Sequence, residues 1–376
     1  MKPAAGRSRR EAPDGSHPSR RTGGFHVNPQ GLPTNTQEIR AVISRIPRVE
    51  LACLPTPLQE ARRLSEILGG PRIFVKRDDL TGVALGGNKT RNLEFRLAAA
   101  KASGADLIVM ELDQQSNSAR LTTGCCNRLG MDTVLILEGS EPDVVQGNLL
   151  LDHLLGAEVR FASSRSEQLR MSREAVAEAW AAGRTPCLLN DIPMFDEGSA
   201  IAYLESACEV VESLEVQGLA PDCLYMSSSG KGQAGHVLAQ KLLGGFRVRG
   251  ITATDEFDIP PRGAAIANRA ARTLGLDITV APEDFVNDAD YVGAAYGIPS
   301  KAGNEAVRLF ARTEGIVLDP IYTGKAAAGM IGHVRRGDFK SGEIVVFVHS
   351  GGTPAIFTHN HLWLDNKAKP QGGEKP

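Results

Sequence analysis

A chain of 376 residues, 42% hydrophobic and 23% charged, has the composition of a soluble globular protein and the length for two domains. Its formal charge of −2 gives no general attraction to nucleic acid or an anionic membrane, and no apolar run of about 18 residues marks a membrane span. Six cysteines (Cys53, Cys125, Cys126, Cys187, Cys208 and Cys223) show no CxxC spacing and no Cys/His cluster, so no metal site is expected and a reduced, cytoplasmic chain fits.

Residues 1–36 are rich in Gly, Pro, Ser and Arg and read as a disordered tail, without the apolar core of a signal peptide. The spacing predicts a short helix over 38–46. Pro55 and Pro57 keep the next approach extended, and a helix over 58–68 is stopped by Gly69 and Gly70. Ile73, Phe74 and Val75 then lead into a charged turn, after which Gly86 and Gly87 leave room for a flat ligand beside Lys89. Thr90, Arg91 and Asn92 open an amphipathic run, so Lys89 falls where a loop becomes a helix N-terminus. The helix dipole disfavours its charge there, and a neutral amine is the form that attacks a carbonyl. A solvated lysine on a first helical turn is the competing reading.

Beyond it, short apolar runs alternate with helices. Strands are expected at 107–110, 133–137, 158–161, 187–189, 223–226, 248–253 and 344–349. Helices are expected at 115–129, 147–155, 166–182, 199–214, 235–243, 263–274, 301–314 and 325–335. This alternation predicts an α/β protein with parallel sheets covered by helices on both faces. Residues 366–376 form a second polar tail.

Three further stretches carry chemistry. Gln115, Ser116, Asn117 and Ser118 follow a strand and open a helix, as an anion site or a plain helix cap would. Ser227, Ser228, Ser229, Gly230, Lys231 and Gly232 also join a strand to a helix, which suits a phosphate, or else a flexible glycine loop. Tyr322 is either an acid/base group or a core tyrosine, and Ser350 lies in a Gly-rich turn after the last strand.

KRDDLTG followed by GGNKTRNLEF, together with LPTPL, QSN, LDPIYTGKAAAGM and VFVHSGGTPAIF, resembles the D-cysteine desulfhydrase / 1-aminocyclopropane-1-carboxylate deaminase family, which includes L-cysteate sulfo-lyase. The resemblance spans roughly residues 46–357. It implies two parallel-sheet domains of the tryptophan synthase beta-like kind (fold type II). A large domain would gather 37–91 and 198–365, and a small one 92–197, with pyridoxal 5'-phosphate between them. Lys89 would carry the cofactor as a Schiff base, with Asn88, Ser227, Ser228, Ser229, Gly230, Lys231, Gly232, Thr323 and Ser350 around it. Gln115, Ser116, Asn117 and Ser118 would hold the substrate carboxylate, Ser116 would assist proton transfer, and Tyr322 would face cofactor and substrate.

The implied reaction is α,β-elimination from a small amino acid to a 2-oxo acid and ammonia, by a cytoplasmic homodimer. Alternatives are a ring-opening deaminase, a β-replacement enzyme, a racemase, or a non-catalytic sensor of cofactor or amino acid. Thr323 stands where ring-opening deaminases carry Glu, which disfavours ring opening. The chain departs from the family elsewhere. Ser118 replaces His or Gln, and Glu111, Leu112 and Asp113 replace small residues. Lys231 replaces Gly and Gly232 replaces Thr, so Lys231 is expected to pair with the phosphate. Ser350 replaces Thr, and Pro193, Met194, Phe195 and Asp196 replace a GGSN-type loop. Glu111, Asp113 and Asp196 hint at a polar or cationic substrate side chain, with solvated loop carboxylates as the other reading.

Overall fold

The computed structural model describes residues 31–364 apart from 193 and 255–257. The tail predicted over 1–36 lies outside the described residues up to 30, as does the second tail, 366–376. The last six residues of the first tail, 31–36, are among the described residues. Asn35 caps the helix Thr36–Ile43 by accepting from the Glu38 amide, so this helix starts and ends earlier than predicted.

Ten strands follow in the described residues: β1 (Leu58–Glu60), β2 (Arg72–Lys76), β3 (Leu107–Asp113), β4 (Asp132–Glu138), β5 (Glu158–Ala162), β6 (Pro186–Leu188), β7 (Cys223–Ser228), β8 (Arg247–Thr252), β9 (Val286–Asp288) and β10 (Ile344–Val348). They build a six-stranded sheet, β1-β2-β10-β7-β8-β9, and a four-stranded sheet, β5-β4-β3-β6. Every pairing is parallel except β1 against β2. All strands of the smaller sheet come from the middle of the chain, while the larger sheet draws on both flanks.

The continuous apolar runs of β7 and β10 follow from burial on both faces. Their side chains alternate. Leu224, Met226, Val346 and Val348 join one core with the helices Glu197–Glu215 and Lys231–Leu243. Cys223, Tyr225, Val345 and Phe347 join the opposite core with the helices Lys301–Glu314 and Thr323–Arg335.

The single helix predicted over 58–68 is instead a strand followed by the helix Arg62–Leu68. Leu58 pairs with Lys76 and Glu60 with Phe74 at the sheet edge, and that pairing overrides the helical spacing. The helix predicted from 263 begins at Ile259, with prolines in its first turn, where a missing N–H costs nothing. β9 carries no apolar run and was not foreseen.

A buried ionic cluster locks the helix Lys89–Ala102 to the large sheet. Arg91 meets Asp78 at 2.9 Å and Glu209 at 2.6 Å, and Lys76 meets Glu209 at 2.5 Å. All four side chains are essentially inaccessible to solvent. Lys89, two residues from Arg91, is thereby held at the C-terminal edge of both sheets.

Candidate active site

A cavity of about 430 Å³, within the range of small-ligand sites, opens where β3, β7 and β10 end. It lies beyond the carboxyl ends of parallel strands, where α/β sheets bind ligands. Lys89 enters it as the first residue of the helix Lys89–Ala102. Its Nζ donates to Asn88 Oδ1 at 3.2 Å. Burial, reinforced by the charges of Lys231 and Arg96, lowers its pKa to about 8. Burial leads here, where the sequence argument relied on the helix terminus. Asn88 is fixed in turn by a side-chain hydrogen bond to Tyr203 and a backbone bond to the Ser350 carbonyl at 2.9 Å.

Gly87 and Gly351 bring two backbones together. A Cβ on Gly351 would stand 2.8 Å from the Gly87 Cα, and one on Gly87, at φ +137°, would stand 2.9 Å from Leu121. Side chains there would fill the floor on which a flat ring can rest.

Ser116, Asn117 and Ser118 line one wall. The Ser116 hydroxyl accepts from the Ser118 amide at 3.1 Å and the Ala119 amide at 3.4 Å, so it caps the helix Asn117–Leu129 and keeps its own proton to donate. Asn117 Oδ1 accepts from Asn148 at 3.0 Å, which sets the amide's orientation. Gln115 is not among the residues lining the cavity. Its side chain accepts from the Asn148 amide at 2.9 Å and donates to the Gln146 carbonyl at 3.0 Å, so it braces the wall from behind.

Ser227, Ser228, Ser229, Lys231 and Gly232 line the opposite wall. Gly230 has φ +97° and turns the chain into the helix Lys231–Leu243, whose first N–H groups have no carbonyl four residues back. Ser228 is buried, its hydroxyl donating to Gln233 at 2.7 Å and accepting from the Gly230 amide at 3.2 Å, so it shapes the loop. Lys231 does not stand free for an anion as expected. Asp196 holds it at 2.8 Å, and Asp196 also meets Arg269 at 2.8 Å.

Tyr322 lies in the cleft, its hydroxyl 2.6 Å from that of Tyr296. Burial first, then Tyr296, raises the Tyr322 pKa well above the usual phenol value. The next residue departs from expectation. Thr323 is fully buried, not among the lining residues, and gives its hydroxyl to Asp319 at 2.5 Å. Asp319 also accepts from the amides of Ile321, Tyr322 and Thr323, so the Asp319–Thr323 pair fixes the turn that presents Tyr322. Ser350 does line the cavity. Of the carboxylates held to hint at a cationic substrate, Glu111 is buried against Ser172 and Asn190, Asp196 is paired, and Asp113 alone of the three lines the cleft.

Tyr296, Arg96 and Asp319 were not singled out from sequence. An Asp three residues before a tyrosine at a helix start is a cap signal that could have marked Asp319. Nothing local marks Tyr296 or Arg96.

The donor set fits a flat pyridine ring bearing an aldehyde and a phosphate. A half-buried amine of lowered pKa suits the aldehyde, a glycine floor the ring, and an open helix N-terminus beside serines the phosphate.

Residues 49–351 match the family model described as pyridoxal-phosphate dependent enzyme. A D-cysteine desulfhydrase of Salmonella typhi is 34% identical over 330 residues, covering 85% of this chain and 98% of that protein. One from Klebsiella pneumoniae (strain 342) is 36% identical with the same coverage. Among solved structures, an ACC deaminase homologue superposes with a TM-score of 0.75 at 31% identity, over 86% of this chain and 98% of that one. The processed form of threonine deaminase isoform 2 from Solanum lycopersicum shares the fold, with a TM-score of 0.57 at 17% identity over 94% and 95% of the two chains.

Proposed function

The chain belongs to the family of pyridoxal-phosphate dependent enzymes, and from that premise we propose a desulfhydrase-like lyase that eliminates a sulfur-bearing β-substituent from a small amino acid, giving a 2-oxo acid and ammonia. The observation that carries this reading is a half-buried lysine amine sharing one cleft with two helix N-termini and a hydrogen-bonded tyrosine pair.

Lys89 and Asn88 would hold the cofactor at its aldehyde end, with Ser350 and the glycine floor around the ring. Ser227, Ser229 and the amides of Lys231 and Gly232 would hold its phosphate. Bound pyridoxal phosphate supplies an electron sink for the bond broken at Cα. Ser116, Asn117 and the open end of their helix orient the substrate carboxylate, Ser116 donating its hydroxyl proton. Lys89 Nζ, free once substrate is seated, accepts the α-proton, which its lowered pKa permits near neutral pH. The Tyr322 hydroxyl stays protonated there, so it acts as the donor to the leaving sulfur, and Tyr296 fixes its direction.

A ring-opening deaminase is the second reading, favoured by the likeness to the ACC deaminase homologue. Against it, a buried threonine, and no carboxylate, follows Tyr322. The same proposal includes a small unit of 92–197 inserted in a large one of 37–91 and 198–365, supported by strand membership in the two sheets. It includes a cytoplasmic homodimer, consistent with six free thiols, and no described helix is long and apolar enough to cross a membrane. Light scattering of the purified protein tests the dimer.

The deciding experiment exposes the purified holoenzyme to a panel of D- and L-amino acids while ammonia and 2-oxo acid are measured. Elimination predicts both products from cysteine or a related β-substituted amino acid. A cofactor absorbance that shifts with no amino acid would replace the lyase with a sensor.

A further inference from the structure

The helix Lys89–Ala102 presents Lys89, Asn92 and Arg96 to the cleft. Spacings of three and four place them on one helix face, at successive turns. Asn92 is 5% exposed and Arg96 4%. Neither Asn92 Oδ1 nor Arg96 Nε has a hydrogen-bond partner. Arg96 makes one long hydrogen bond, from Nη2 to the Leu189 carbonyl at 3.4 Å, and no carboxylate among the described residues is within ion-pair distance of it. A buried guanidinium in that state is costly, and burial lowers its pKa to about 10.

Arg96 also shares an aromatic ring with Lys231. Its guanidinium carbon lies 4.1 Å from the centre of the Phe195 ring, and Lys231 Nζ lies 3.6 Å from the same centre. Lys231 is the first residue of the helix that follows Ser227–Gly230. Lys89, Arg96 and Lys231 therefore crowd one region: Lys231 and Arg96 lower the Lys89 pKa beyond what burial does, and Arg96 pulls the Lys231 pKa down against the upward pull of Asp196. Asp196 neutralises only Lys231 among them by direct contact. An anion seated between these cations relieves the repulsion. A flip of the Asn92 amide would bring its N–H donors to where Oδ1 stands.

We propose that Asn92 and Arg96 form a second wall of the phosphate subsite, so that the cofactor phosphate is held from two helices, by the open end of Lys231–Leu243 and by the guanidinium of Lys89–Ala102. This rests on the cleft being a pyridoxal phosphate site. Arg96 gives the charged contact that Lys231, committed to Asp196, supplies only in part. Phe195 keeps the guanidinium plane in place by stacking.

The test resolves the enzyme from its cofactor and titrates it with pyridoxal 5'-phosphate and, separately, with pyridoxal, which has the aldehyde but no phosphate. Visible absorbance reports binding, so no activity is needed. Arg96→Gln should raise the Kd for pyridoxal phosphate about tenfold or more while the Kd for pyridoxal stays within about twofold. Arg96→Lys should recover part of the loss. Asn92→Asp, which puts a carboxylate in the subsite, should show the same split and serves if Arg96→Gln does not fold. Inorganic phosphate should compete with pyridoxal phosphate on the native protein and lose potency in Arg96→Gln. Equal weakening of both compounds would make Arg96 structural and overturn the inference. So would unchanged binding of both with an altered preference between acidic and neutral amino acids, since the anion would then belong to the substrate. Native protein that binds neither compound would instead overturn the cleft's assignment to the cofactor.

Discussion

Tyr296 and Tyr322, 26 residues apart in the chain, hold their phenol oxygens 2.6 Å from each other inside the cleft that contains Lys89. Two phenols at that distance share one hydrogen bond, so one of them has its proton directed by the other. Tyr322, the partner in the turn fixed by Asp319, is the group whose proton is spent on chemistry in the proposed reaction.

Removing the Tyr296 hydroxyl should therefore act through Tyr322. Tyr322→Phe is expected to lower kcat by roughly 10²-fold or more, and Tyr296→Phe by less, with little change in KM. The double variant should lose no more than Tyr322→Phe alone, because the two act as one unit. Steady-state kinetics on the four proteins checks this, and additive losses would separate the two residues. Because the Tyr322 pKa is raised, its deprotonation should not limit the rate below pH 10.

Lys89→Ala should abolish the visible absorbance of bound cofactor and reduce turnover by at least about 10³-fold. In the native apoenzyme the amine must be neutral to attack an aldehyde. With a pKa of about 8, its neutral fraction rises about tenfold per pH unit below 8 and levels off above. The rate of cofactor incorporation, followed by stopped-flow absorbance, should trace that curve. A midpoint near 10.5, the ordinary lysine value, would mean the amine is solvated.

Thr323→Ala leaves Asp319 one hydrogen bond short inside the protein and should cost about 1–3 kcal/mol. The turn carrying Tyr322 loosens with it, so kcat should fall as well. Thr323→Ser keeps the hydroxyl and should restore most of both. Thermal unfolding and kinetics on the pair decide it. A serine variant as impaired as the alanine one would show that the methyl group's packing matters more.

Glu209→Gln breaks the buried cluster of Lys76, Arg91, Asp78 and Glu209 and should destabilise the fold by roughly 3–5 kcal/mol, with loss of cofactor because Arg91 shares a helix with Lys89. In the native protein the guanidinium of Arg91 and the ammonium of Lys76 outweigh burial and hold both carboxyl pKa values below their ordinary 4.5 and 3.8. Their stabilisation is complete above those values and is lost as the pH falls through the lowered folded ones. Denaturant titrations from pH 6 to pH 3 should show native stability dropping in the acid range, with a shallower fall in the variant.

What the sequence decided by itself is what lies within a few residues along the chain. Alternating apolar runs and helical spacings set the parallel α/β plan. Each strand–loop–helix stretch carried its own chemistry: Lys89 after two glycines, Ser116 and Asn117 at a helix start, and Ser229 and Gly230 before Lys231. The boundary errors arose where a sheet edge competed with helix spacing, as at Leu58.

What the tertiary structure alone decided is which of these stretches meet and which way their side chains turn. Thr323 and Gln115 bond to Asp319 and Asn148 and do not line the cavity, and Lys231 is taken by Asp196. Tyr296 reaches Tyr322, and Arg96 reaches the Phe195 ring that Lys231 also covers. Such pairings depend on strand order and helix packing among segments distant in sequence. The free energy that selects them comes from burial and charge pairing between those segments, which no short window of residues contains.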